Sequence, residues 1–192
     1  MEIIIVLLIV TAALLGSTVF AVMRLRVVAG PQELLVKTMI SVPATGGHNP
    51  GMNAAVYDGF AVIKDGWALI NPFVDQVERM DISPIDIDEI VDEIRFCDDT
   101  TAVIHLKAKV AFDTELNSIP RSIERFLGRP RSEVCMVAEK IVINGVRQVA
   151  STLSREEFFD NTEKVSSTSK QTIEMDMENL GFQLESLDID AS

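Results

Sequence analysis

The stretch Trp67–Ser83, WALINPFVDQVERMDIS, is the one whose reading decides the fold. It opens apolar at Ala68, Leu69 and Ile70, breaks at Asn71-Pro72, and resumes with Val74, Val77, Met80 and Ile82 interleaved with Asp75, Glu78 and Asp81. A continuous apolar run is the pattern of a buried strand, and an in-out alternation that of a half-buried one. Proline cannot donate to a ladder, so Asn71-Pro72 reads as a corner between two strand directions. No nucleophile, metal pair or phosphate loop accompanies it.

Just upstream, FAVIKDGWALI (60–70) sets two apolar runs either side of Asp65-Gly66, a dipeptide suited to the positive backbone angles of a two-residue turn, and predicts a β-hairpin. Ser41–Asn53, which holds TGGHNPGMN, reads as a loop. Glu33–Lys37 reads as a first strand. Downstream, Val77–Ile87 continues as one or two strands around Ser83-Pro84, and Val91–Cys97 pairs with Thr101–Phe112 across Asp98-Asp99. In the latter strand Val103, His105, Lys107 and Lys109 oppose Ile104, Leu106, Ala108 and Val110, which gives one wet face and one dry.

The period then changes from two to three and four. Ile119–Leu127 predicts a short helix closed by Gly128 and Pro130. Ser132 is placed to cap a second helix, with Val134, Val137, Ile141, Val142, Val146 and Val149 on its apolar side; Gly145 within it calls for a close neighbour. Ser154-Arg155-Glu156-Glu157 fits a capping box for a helix running to Leu180, and Gly181 is its stop. Phe182–Ile189 predicts a final strand that returns to the sheet. The fold class is α+β, with 24–115 strand-rich and 116–192 helical with a terminal strand.

Ahead of this lies Ile3–Met23, 21 residues without a charge. At about 1.5 Å per residue such a helix spans the roughly 30 Å hydrocarbon core of a bilayer. A cleaved signal peptide fits less well: the n-region has Glu2 and no cation, the apolar run is long, and Arg24 and Arg26 follow it. Residues 1–23 are therefore read as a transmembrane anchor, with Arg24 and Arg26 holding the chain in the cytoplasm and the N-terminus outside. A hairpin dipping into one leaflet remains the alternative.

Composition narrows the function. A net charge of −12 argues against a nucleic-acid partner, because phosphates need a basic face. Cys97 and Cys135 are far apart and read as two thiols or one disulfide. Asp81–Asp99 holds eight acids and one base, Arg95, but lacks the spacing and glycine of a calcium loop and reads as a solvated strand face. His48 and His105 have no cysteine or second histidine nearby, so no metal site is expected. No cofactor motif and no catalytic serine context appears. The rival reading is a membrane-anchored thiol hydrolase pairing Cys97 or Cys135 with His105; a secreted binding domain requires a cleaved N-terminus.

RVVAGPQELLV (26–36) after the apolar segment, followed by WALINPFVDQVERMDIS, resembles the start of an SPFH (band 7) domain, the domain of stomatins, prohibitins and flotillins. FLGRPRSEV (126–134), INGVRQVASTLSREEFFDN (143–161) and MENLGFQLESLDID (177–190) are similar to its flotillin branch. The resemblance covers roughly residues 1 to 190. It implies a non-enzymatic scaffold of the cell membrane that forms homo-oligomers, organises lipid microdomains and recruits other membrane proteins. It also implies that the strand-rich half lies on the cytosolic membrane surface, with Arg24, Arg26, Phe60, Trp67, Pro72 and Phe73 as interfacial candidates. Two departures stand out: the loop Thr45–Asn53, and an end at Ser192 where flotillins continue into a coiled coil.

Overall fold

The uncharged N-terminal run winds into one helix, α1 (Glu2–Leu25), 24 residues long. A computed structural model describes residues 2–38, 54–57, 59–64, 66–70, 75–115 and 118–191. Among the described residues no helix is long and apolar enough to cross a membrane. Along α1 the longest unbroken run of described side chains is residues 10–18. The expected helix is thus present, and its crossing of a bilayer is not shown. The chain divides into two units, Met1–Met80 and Asp81–Ser192, so the boundary expected at 115/116 falls inside the second unit.

The first unit continues from α1 with β1 (Arg26–Val28), β2 (Glu33–Thr38), β3 (Ala54–Tyr57), β4 (Phe60–Lys64), β5 (Trp67–Leu69) and β6 (Gln76–Asp81). Four strands form a sheet in the order β3-β4-β2-β6, and β1 pairs separately with β5. The hairpin expected across Asp65-Gly66 does not form. β4 runs antiparallel to β2, from Leu34↔Lys64 to Thr38↔Phe60, and β5 antiparallel to β1, from Arg26↔Leu69 to Val28↔Trp67. Residues 60–64 and 67–69 therefore pair with 34–38 and 26–28 in turn, as two segments of one interrupted ladder. Where it is interrupted, the Ala29 N–H donates to the Gly66 carbonyl at 2.8 Å. The physical reason is that β2 is central: Leu34, Leu35 and Val36 are all buried, and pairing with β4 on one side and β6 on the other satisfies their backbone groups. The hairpin is instead between β3 and β4, with Tyr57 opposite Phe60 and Gly59 at φ +87, a positive angle of the kind hairpin turns use. The corner expected at Asn71-Pro72 and the loop expected at Ser41–Asn53 lie outside the described residues.

The second unit holds β7 (Ile85–Arg95), β8 (Thr101–Phe112), α2 (Ile119–Phe126), α3 (Arg131–Ala150), α4 (Arg155–Asp160), α5 (Thr162–Glu178) and β9 (Phe182–Ala191). Its sheet is antiparallel in the order β7-β8-β9, so the last strand does return, with Ile189 opposite Leu106 and Phe182 opposite Phe112. Ile104, Leu106, Ala108 and Val110 on β8 are buried beneath α3, which packs on β7 and β8, and α5, which packs on β9 and α3. Gly145 lets α3 and α5 touch: a Cβ there would overlap Ile173 Cγ1. Phe112, Phe126 and Phe182 close one end of this core, with ring centroids 4.9–6.0 Å apart.

Two helix ends differ from expectation. Ser132 does not cap α3; Pro130 occupies the cap in extended conformation without a side-chain bond. The Arg131 guanidinium instead ties the helix start to the strand entrance, donating to the Ser83 carbonyl at 2.6 Å and the Pro84 carbonyl at 2.9 Å. The helix expected from Ser154 to Leu180 is two helices, interrupted at Asn161 with φ −119 and ψ 47. The capping box at Ser154 and Glu157 forms as expected, and Gly181 takes φ +77.

Candidate membrane-facing site

Four of the six interfacial candidates lie within the described backbone, and three of them belong to the end of α1 and the strand pair that follows it. α1 passes without a linker into β1, so Arg24 lies in its last turn and Arg26 opens the strand. β5 is brought back against this junction: the Ile70 N–H donates to the Leu25 carbonyl at 2.8 Å, and Arg26 stands opposite Leu69, two residues from Trp67. Cations at a helix C-terminus are favoured by the negative end of its dipole. Arg26 is exposed; the side chains of Arg24 and Trp67 are not described. Beneath the junction, Ala29, Leu35, Ile63 and Ala68 form a small buried cluster joined by Val27 and Val77.

Phe60 is not part of this group. It sits at the far end of β4, opposite Thr38, whereas Trp67 opens β5 in the other ladder, opposite Val28. It stacks on Tyr57 at 5.1 Å, and burial holds the Tyr57 hydroxyl above its ordinary pKa. Pro72 and Phe73 lie outside the described residues.

Along α1, Leu7, Leu8, Val10, Leu14, Leu15, Phe20 and Met23 are all exposed, from 48% for Val10 to 72% for Met23. Its hydroxyls need no water. Thr11 donates to the Leu8 carbonyl at 3.0 Å, Ser17 to Leu14 at 3.0 Å and Thr18 to Leu15 at 2.8 Å. Sequence reasoning found the apolar run but not this internal satisfaction.

The thiol chemistry does not assemble. Cys97 and Cys135 are free. His105 lies on the outer face of β8, where its Nε2 pairs with Asp88, whereas Cys135 is on α3, against the inner face. Cys97 sits past the end of the ladder at Arg95↔Thr101, and His105 is four residues further along β8, about 13 Å. Among the described residues no group of acids, histidines and cysteines could hold a metal ion. The acidic row of β7 is strand surface as expected: Asp86, Asp88, Asp92 and Glu93 are exposed while Ile85, Ile87, Val91 and Ile94 are buried. Ile90 departs from the expected alternation, being 65% exposed.

The SPFH domain / Band 7 family profile matches residues 28–192. No curated protein matches the chain. That match starts within β1, three residues past the end of α1, and runs through both units to the returning strand. The chain belongs to the SPFH (band 7) family.

Proposed function

We propose that the protein is a single-pass, flotillin-like membrane scaffold, with its N-terminus outside and its SPFH domain in the cytoplasm. Proteins of this family are generally membrane-associated scaffolds. The observation that carries the reading is α1. Among the described residues its large apolar side chains from Leu7 to Met23 are exposed, and the hydroxyls of Thr11, Ser17 and Thr18 are satisfied within the helix. In water such a surface is costly; in hydrocarbon both features are what a spanning helix requires. At 24 residues it measures about 36 Å, enough for the hydrocarbon core. Arg24 and Arg26 then set the orientation. The anchored domain self-associates, gathers lipids beneath its footprint and recruits other membrane proteins, without catalysis of its own.

The test is topology. In a background lacking Cys97 and Cys135, a cysteine placed at Ser192 is expected to resist an impermeant thiol reagent in intact cells and to react after permeabilisation. The protein is also expected to stay in the membrane pellet after alkaline extraction. Labelling from outside refutes the orientation, and release by alkali refutes the span.

A further inference from the structure

The segment RSIERFLGRPR (121–131) carries Arg121, Arg125, Arg129 and Arg131 in a chain whose 29 acids outnumber 17 bases. Three of these have work within the fold. Arg121 donates to the Glu178 carbonyl, Arg129 to the Arg125 carbonyl and to Glu133, and Arg131 to Ser83 and Pro84. Among the described residues the Arg125 guanidinium has no partner. It lines a cleft of about 500 Å³ together with Glu124, Phe126, Arg129, Val137 and Leu180. The lining joins apolar Phe126, Val137 and Leu180 to two guanidiniums and one carboxylate, Glu124, a set that suits an apolar side chain flanked by carboxylates.

The same unit exposes such a group. β7 is an edge strand, paired only with β8. On it Ile90 is 65% exposed, and Glu89, Asp92 and Glu93 around it are exposed and have no ion-pair partner among the described residues. The ladder is interrupted between Val91 and Ile94, with Glu93 at φ 55. A bulged, charged edge resists extension by another strand, so contact here runs through side chains. The two surfaces lie toward opposite ends of the sheet. The cleft's Phe126 packs on Phe112 and Phe182, and Ile90 stands opposite His105, seven residues back along β8, about 23 Å.

We infer that the occupant of the cleft is the Ile90–Glu93 edge of a second copy, so that neighbouring chains join head to tail. This rests on the self-association proposed above and names its surfaces. Because the two surfaces differ, the contact is heterologous and propagates into a ring or an open row. Anchoring in two dimensions raises the effective concentration that a contact of this size needs.

The experiment uses the full chain in liposomes, in a background lacking Cys97 and Cys135. Chains bearing Ile90→Cys are mixed with chains bearing Val137→Cys and oxidised. Disulfide dimers are expected from the mixture and not from either chain alone. Arg125→Glu or Asp92→Arg alone is expected to lower the yield about tenfold, and the two substitutions together to restore it. Neither side chain has an ion pair to lose, so both variants should fold. Raising salt to about 0.5 M, where the screening length falls below about 5 Å, should weaken the contact. If an amine-reactive cross-linker captures oligomers in the same liposomes but the cysteine pair does not join, this interface is overturned while self-association stands. If no reagent captures more than a monomer, both are overturned.

Discussion

A methyl group added at Gly145 tests the helix layer at its tightest point. Gly145→Ala removes the glycine penalty within α3, worth about 1 kcal/mol in an exposed helix. Against that, the new Cβ overlaps Ile173 Cγ1 and lies 3.2 Å from its Cδ1. Ile173 is fully buried on α5, so it has nowhere to move without displacing its neighbours. Overpacking of this kind costs about 1–3 kcal/mol, and set against the glycine gain of about 1 kcal/mol the net loss is expected to be about 0–2 kcal/mol. Ile173→Ala alone leaves a cavity and costs about 2–5 kcal/mol. In the double variant the new methyl enters the space that Ile173 vacated, so the combined loss should fall short of the sum by at least about 1 kcal/mol. Hydrogen exchange of the α3 and α5 amides in the full chain reads all three variants. Strict additivity, or a stabilised Gly145→Ala, would refute the close packing of these helices.

Three other outcomes follow from named contacts. Ser122, buried on α2, donates to the Gly181 carbonyl at 3.0 Å, which also accepts from the Asp113 N–H at 2.9 Å; Ser122→Ala leaves no orphan and should cost only about 0.5–1.5 kcal/mol in thermal unfolding. Arg131→Met strips the charged donor from the Ser83 and Pro84 carbonyls and should cost about 1.5–3 kcal/mol, with Arg131→Lys recovering only part because it lacks the planar fork. Thr100 hydrogen bonds hold the Asp98 carboxyl below its ordinary pKa, and those from Ser154 do the same for Glu157. Both stabilise the fold above the unfolded carboxylate range of about 4, and the contribution is lost as pH falls through the lower folded values. Acid titration of stability should therefore be shallower for Asp98→Asn and Glu157→Gln; an unchanged slope would count against these bonds.

The elements most legible in the sequence are those whose signal is local. The two-residue alternation of Thr101–Phe112, the capping box at Ser154 and Glu157, and the Gly181 stop each carry their physics within a few residues, and each appears in the fold. Gly145 was also legible, since a glycine inside a helix needs a reason and Ile173 supplies it. The Asp-Gly dipeptide shows where local reasoning ends. The chain has two, at 58–59 and 65–66, and only the first makes a hairpin, because the strands beside the second find better partners in the N-terminal arm. The division at Met80 was hidden for the same reason: β7 and β8 complete their sheet with β9, some seventy residues later. Of the candidate site, Arg26 and Trp67 were found as separate signals, and only the β1–β5 pairing sets their strands side by side. The cleft arginines were missed because Arg125 on α2 and Arg129 in the connection after it read as ordinary solvated charges until Val137 and Leu180 are seen to line the same cleft.

The central claim is that an anchored SPFH domain acts through assembly with its own kind in the plane of a membrane. The most direct measurement counts subunits there: chains carrying one fluorophore each, at low density in supported bilayers, bleached one step at a time. Diffraction-limited spots that lose fluorescence in several steps, and in single steps when Arg125→Glu is introduced, are the expected result. Spots that bleach in one step for the unaltered chain at every density would contradict the account.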